Sequence, residues 1–364
     1  MSHCRKTQLS IFLNNKCNLS CKYCYDGANR SFNKKRQVID INFVKKGISD
    51  YFKNYTSREI RLFGNGEPTI EFDLMKAIVK FAKTKDSRST FELQTNGFFS
   101  ENIAKWIGKH MSVVWVSCDG FPEIQNYYRP VVNGEESSVV VERNIKYLSS
   151  LPITLGCRVT IGKKNINQQV EIIDYFNSLG IKAVMSDPMF ASVNDCNSSF
   201  SKTESPDLLN YAKHYLKARK YAEKLGIFYG SILTVNFDEE TECACRACIP
   251  YPHLTIDGYV SACDMASDVL NKKMSALIYG KFDKIKNNII YYEDKINIIK
   301  SRKGSNMTAC KKCEVLKNCA GGCLGEALNE TGSMFGIKPE ACKAIKYLAK
   351  RMPLNMGRYP YLHP

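Results

Sequence analysis

At 364 residues, 44% of them apolar, the chain is too long for one ordinary core, implies two domains, and falls outside disordered and low-complexity classes. No stretch approaches the roughly 18 consecutive apolar residues of a membrane span, and the opening residues lack the apolar segment of a secretory signal. The formal charge of +16 suits an acidic peptide or a nucleic acid, but a solvated Lys-rich surface is the commoner cause, and nucleic acid is not expected as a partner. Sixteen cysteines beside five histidines, in a chain without an export signal, read as reduced, cytoplasmic and metal-binding rather than as a disulfide framework.

The first apolar run, Leu9 to Leu13, is a strand candidate that empties into Asn14-Asn15 and then a C-x3-C-x2-C loop at Cys17, Cys21 and Cys24. Three thiolates on one tight loop can hold three corners of an iron–sulfur cluster and leave the fourth iron open. Zinc usually takes four protein ligands from paired elements, and a thioredoxin-like redox site needs only C-x2-C. Beyond the loop, helix and strand patterns alternate. A helix over 40–52 precedes a strand over 59–63, and a helix over 72–83 precedes a strand over 90–93. Further helices over 101–109, 139–148 and 168–179 alternate with strands over 113–117, 153–160 and 181–185. Six strand-then-helix units predict a parallel α/β fold, a partial (β/α)6 TIM-like barrel, with special residues just past the C-terminal ends of its strands.

Ser205-Pro206-Asp207 predicts a helix start, with Leu208, Tyr211, Tyr215, Ala222 and Leu225 on one side and Gly226 at its end. That helix is expected to dock a second domain. Cysteines then return at 243, 245, 248 and 263, and at 310, 313, 319, 323 and 342. The expected division is a barrel over 1–195, a linker and helix over 196–240, a small cysteine-rich domain over 241–350, and a tail over 351–364. Paired zinc ribbons are the alternative, but the x5 and x3 spacings between Cys313, Cys319 and Cys323 fit ribbons poorly.

The loop Cys17-Asn-Leu-Ser-Cys-Lys-Tyr-Cys-Tyr25 resembles the cluster loop of the radical SAM superfamily. Gly64-Asn-Gly-Glu-Pro68 is similar to that family's Gly-Gly-Glu-Pro motif, with Asn65 replacing a glycine; in isolation it would read as an ordinary turn. The resemblance implies that Gly66 and Glu67 contact the amino group of S-adenosylmethionine. It places Asn96 and Ser117 near that cofactor, and Arg129 near its carboxylate or ribose. The later cysteines resemble the SPASM extension of the family, which implies two auxiliary [4Fe–4S] clusters and three clusters in all. Cys248, Cys263, Cys323 and one of Cys243 or Cys245 would hold the first, and Cys310, Cys313, Cys319 and Cys342 the second. Cys4, Cys118, Cys157, Cys196 and the unused member of Cys243 and Cys245 are left over as small buried residues. Cys118 and Cys157 are alternatively expected at strand ends facing the site, as hydrogen-atom donors.

The resemblance further implies a 5′-deoxyadenosyl radical that abstracts a substrate hydrogen, with a flavodoxin or ferredoxin as electron donor. The overall likeness is to peptide- and protein-modifying members, including anaerobic sulfatase-maturating enzymes, in which an Asp after a cluster ligand is the proposed base, as Asp264 follows Cys263 here. The turn-capping role that Asp often plays is the alternative for Asp264. Asp26 where a second aromatic is expected, and no His after Asp264, depart from the sulfatase-maturating pattern. A ribosomal-peptide maturase that oxidises, cross-links or epimerises a residue is therefore the first expectation. Sulfatase-type formylglycine maturation and dehydrogenation of a small alcohol are alternatives, and an iron–sulfur electron carrier is the non-enzyme one. Only sixteen residues precede Cys17, so leader-peptide recognition is expected from a separate protein or from the basic surface.

Overall fold

The computed structural model describes residues 7–24, 36–190, 198–245, 248–269 and 271–357. Cys4, Tyr25, Asp26 and Cys196 lie outside the described residues. The chain runs β1 (Leu9–Phe12), α1 (Ile41–Asn54), β2 (Glu59–Phe63), α2 (Phe72–Lys85), β3 (Thr90–Thr95), α3 (Glu101–His110) and β4 (Val113–Ser117). It continues through α4 (Pro122–Tyr128), α5 (Ser138–Ser149), β5 (Thr154–Ile161), α6 (Gln169–Ser178) and β6 (Ala183–Pro188). Strands β1 to β6 pair in parallel and in sequence order, as strand–helix repeats require.

The helix expected as a linker does more than link. After α7 (Ser198–Glu204) and α8 (Leu208–Lys224), β7 (Phe228–Gly230) pairs in parallel with β6, so α8 crosses between two strands of one sheet. Asp207, not Ser205, caps α8: its carboxylate accepts from the Asn210 N–H at 2.7 Å, a reach that requires the residue adjoining the first turn. Tyr211, Tyr215 and Tyr229 stack at ring separations of 5.9 and 5.4 Å under α8, and α12 packs on it from the cysteine-rich side.

The remaining strands join the other edge. β8 (His253–Leu254) lies parallel beside β1, then β9 (Tyr259–Ser261), β10 (Ile278–Asp283) and β11 (Asn288–Tyr291) follow antiparallel. The result is one 11-stranded sheet in the order β11-β10-β9-β8-β1-β2-β3-β4-β5-β6-β7. α9 (Glu293–Ser301), α10 (Leu316–Cys319), α11 (Leu324–Thr331) and α12 (Pro339–Ala349) complete the chain. No helix among the described residues is long and apolar enough to cross a membrane.

Alternation along the strands sorts the two faces. Leu9, Ile11, Ile60, Leu62, Leu93, Val114, Val116, Val159 and Ile161 join the helices in one continuous core. Ser10, Arg61, Gln94, Ser117, Arg158 and Asp187 therefore fall on the opposite, inner face, beside a smaller apolar group of Trp115, Ala183 and Met185. Cys157 belongs to the helix-side core with no exposure, and Cys118 is 2% exposed in the same core. The expectation that these two thiols face the site is corrected: both lie on the helix side of the sheet.

Candidate active site

The cysteine loop hangs from the end of β1 and is clasped by the turn after β2. Gly66 N–H donates to Asn14 O at 3.1 Å and Glu67 N–H to Lys16 O at 2.8 Å. A Cβ on Gly66 would stand 2.0 Å from Lys16 O, so only glycine permits this approach. Cys17 Sγ lies 3.5 Å from the Leu19 N–H and from Asn96 Nδ2, which also donates to Asn18 Oδ1 at 2.7 Å. Burial and the neighbouring thiols push up the pKa of Cys17; burial lifts Cys21 to about 12 against the pull of Arg129.

Two buried carboxylates brace the loop. Glu67 is 2% exposed and accepts from Thr69 N–H at 3.1 Å, Thr69 hydroxyl at 2.7 Å, Thr95 hydroxyl at 2.6 Å and Asn96 N–H at 2.7 Å. Three of these donors meet Oε1 and one meets Oε2, so Oε2 keeps an acceptor site. The Glu67 side chain thus ties β2 to β3 beside the main chain of the 64–67 turn. Burial still raises the Glu67 carboxyl above its ordinary range, with the four donors opposing it.

Asp119, fully buried, is the second brace. It accepts from Tyr23 hydroxyl at 2.5 Å, Arg129 Nε at 2.9 Å and Nη2 at 3.3 Å, and Thr160 N–H at 2.9 Å. Arg129 is thus forked onto Asp119 and turns Nη1 towards Cys21 Sγ at 4.0 Å; its place is against the cysteine loop. Asn96 stands at the end of β3 beside Cys17, and Ser117 at the end of β4 on the inner face.

The later cysteines gather in two adjoining cavities. Cys310, Cys313, Cys319 and Cys342 line one, and Cys245 lines the other; Cys319, Gly322 and Cys323 belong to both. Cys263 is drawn in with Cys245 and Cys323: after burial, the Cys245 thiol opposes ionisation of both, and Gly325 leaves room for Cys263, since a Cβ there would be 3.1 Å from its Sγ. Of the two cysteines left open there, Cys245 is the one beside Cys263 and Cys323, while Cys243 lies next to Cys248, with Cα atoms 5.9 Å apart. Three cysteines within six residues leave such a choice to the path of the loop.

Asp264 reaches away from its own turn, towards β2 and β8. Its Oδ1 is ion-paired with Arg61 on β2 and lies 3.0 Å from His253 Nε2 on β8. Arg61 Nε donates to Ser10 Oγ at 3.1 Å, and His253 Nδ1 faces Tyr251 O at 3.0 Å. Arg61 and His253 side chains are 5% and 8% exposed while Asp264 keeps 36%, so the carboxylate is the open end of a buried group. Burial pushes its pKa up, but Arg61 and His253 outweigh it and hold the carboxyl well below the usual range. The carboxylate is engaged by Arg61 and His253 rather than by main chain of its own turn, and these two neighbours hold its pKa down.

Tyr23, Thr95, Asp119, Arg61 and His253 were not singled out from sequence. Asp119 stands two residues past Ser117, and Arg61 is a charge inside a strand pattern, a signal of a paired inner-face residue.

The donor sets fit the groups that the resemblance implies. Among the described residues, no three His, Cys, Asp or Glu close tightly enough to hold one metal ion, whereas a four-iron cube holds its thiolates farther apart than a single ion does. Crowded, buried thiols need a strongly electropositive cargo to ionise together. Beside them, Asn65 Oδ1 is a buried acceptor with no donor, in the turn where an ammonium group would be received.

Residues 11–190 match the model of the radical SAM superfamily. An uncharacterised protein of Methanocaldococcus jannaschii is 31% identical over 182 residues, which are 49% of this chain and 61% of that protein, short of two-thirds of its length. The cysteine-type anaerobic sulfatase-maturating enzyme of Clostridium novyi is 24% identical over 330 residues, 84% of each chain. The solved structure of native anSMEcpe with bound AdoMet and Cp18Cys peptide shares the fold, with a TM-score of 0.71 at 17% identity over 95% of this chain and 96% of that one. Residues 11–190 thus form a radical SAM domain, and the chain is an enzyme related to the anaerobic sulfatase-maturating enzymes.

Proposed function

We propose that this enzyme oxidises one residue of a peptide or protein substrate, with Asp264 as the proton acceptor. In this reading Cys17, Cys21 and Cys24 hold the S-adenosylmethionine cluster, while Cys245, Cys248, Cys263 and Cys323, and then Cys310, Cys313, Cys319 and Cys342, hold two more. When bound, these groups supply a hydrogen-abstracting 5′-deoxyadenosyl radical and a nearby electron sink. The chain supplies the rest. The 64–67 turn and Asn65 receive the cofactor's ammonium, and Glu67 and Asp119 keep the loop rigid beneath it.

The observation that carries the reading is the position of Asp264. It adjoins the thiol of Cys263 in sequence and projects to the inner face, held proton-free by Arg61 and His253. A carboxylate so paired is a weak base, so the proton it takes must be acidified first. An O–H or S–H on a carbon that has lost a hydrogen atom meets that condition. A peptide substrate is supported by the names of the relatives and by the peptide in the anSMEcpe structure; a flavodoxin or ferredoxin is the expected reductant.

The test uses synthetic peptides carrying Ser, Cys or Thr deuterated at Cβ, with S-adenosylmethionine and dithionite. Deuterium should enter 5′-deoxyadenosine, and one peptide should lose two hydrogens. Asp264→Asn should keep iron and 5′-deoxyadenosine formation but lose the oxidised product. Deuterium transfer from small alcohols and from no peptide would reject the peptide reading.

A further inference from the structure

Arg302, just past α9, is among the largest fully buried side chains, at 1% exposure. Its guanidinium meets main chain alone. Nε donates to Met334 O at 3.1 Å, Nη1 to Ala320 O at 2.5 Å, and Nη2 to Gly321 O at 2.8 Å and Gly322 O at 3.1 Å. Among the described residues no carboxylate is paired with it. A buried guanidinium without an anion is costly, because carbonyl dipoles replace water but do not neutralise the charge.

The carbonyls it gathers belong to an unusual segment. Ala320, Gly321 and Gly322 take φ of 47°, 83° and 74°, three left-handed residues in succession, one of them not glycine. They form the bridge between Cys319 and Cys323, and Gly321 and Gly322 line the cavity shared with Cys310, Cys313 and Cys342. A Cβ on Gly321 would lie 3.1 Å from Arg302 Nη2, so one glycine separates the charge from that cavity wall.

We propose that Arg302 is the built-in counter-charge of the cluster held by Cys310, Cys313, Cys319 and Cys342, and the positioning residue of the bridge that joins it to Cys323. This rests on the reading that those four thiols hold a cluster. The missing anion is then the cluster with its thiolates, and a cation beside it stabilises its more reduced, more negative form. The residue would raise that cluster's midpoint potential as well as its occupancy.

The test takes the full chain with Cys17, Cys21 and Cys24 changed to Ala, reconstituted anaerobically, so that only the later sets hold iron. Arg302→Lys keeps a charge and three donors; Arg302→Gln keeps donors and removes the charge. Iron per chain and the midpoint potentials followed by electron paramagnetic resonance are read for each. The background and the Lys variant should hold about 8 irons, two clusters of four, and share their potentials. The Gln variant should fall towards about 4, and any second cluster it retains should reduce at more negative potential. Equal iron and potentials in the Lys and Gln variants would overturn the proposal. If the Gln variant does not accumulate, the Lys variant decides: loss of its second cluster despite the retained charge rejects the counter-charge role. A background holding only about 4 irons would instead reject the second cluster itself, and the proposal with it.

Discussion

The loop at residues 17–24 and the region from 243 to 342 both gather thiols, but on different supports. The loop is rooted in a parallel sheet and fixed by two buried carboxylates, Glu67 and Asp119, each of which accepts four hydrogen bonds. In the later region Cys310 and Cys313 sit on a single turn, Cys319 ends a four-residue helix and Cys342 rides on α12. Its bracing comes from backbone gathered around one buried cation, Arg302. The difference teaches that the first site is prebuilt by the fold, whereas on the function proposed above the later ones would depend on what their thiols hold.

Stripping iron anaerobically with a chelator should separate the regions most strongly. Hydrogen exchange should rise most over 304–323, outside the sheet, while β1 to β6 keep their protection. Equal loss in both would mean that the sheet, too, relies on its cargo. A smaller effect is expected from Gly66→Ala. Its new methyl meets main chain that cannot step aside, so about 1–3 kcal/mol of stability should be lost together with S-adenosylmethionine binding. Calorimetric titration with the cofactor checks this, and wild-type affinity would show that the turn is not its cradle. The smallest effect belongs to Cys157→Ala on the helix side of β5. It should cost about 1 kcal/mol in denaturant melts and leave product yield unchanged. A lost product would return that thiol to the chemistry.

The same contrast explains what could be read from sequence. Strand ends in a βα repeat carry their ligands in contiguous motifs, so Cys17 to Cys24, Gly66 and Asn96 were legible. The facing of Cys157 could have been read as well: along Thr154–Ile161, Leu155, Cys157, Val159 and Ile161 alternate with Thr154, Gly156, Arg158 and Thr160, which puts the thiol on the apolar face. β7 was missed because three residues after a long helix give no periodicity. Arg61 and Asp264 are 203 residues apart and meet only because β8 lies beside β1 and β9 folds back on it. Arg302 belongs to no cysteine motif, and its partners are carbonyls, which any sequence supplies.

The most direct measurement counts iron and 5′-deoxyadenosine in three anaerobically reconstituted proteins: the wild type, the Cys17/Cys21/Cys24→Ala variant and a Cys310/Cys313/Cys342→Ala variant. The account predicts about 12 irons in the first and about 8 in each variant, since each cluster holds four. It predicts 5′-deoxyadenosine from the wild type and the last variant, and none from the first-loop variant. Dithionite-driven 5′-deoxyadenosine from the first-loop variant, or zinc in place of iron at Cys310 to Cys323, would contradict it.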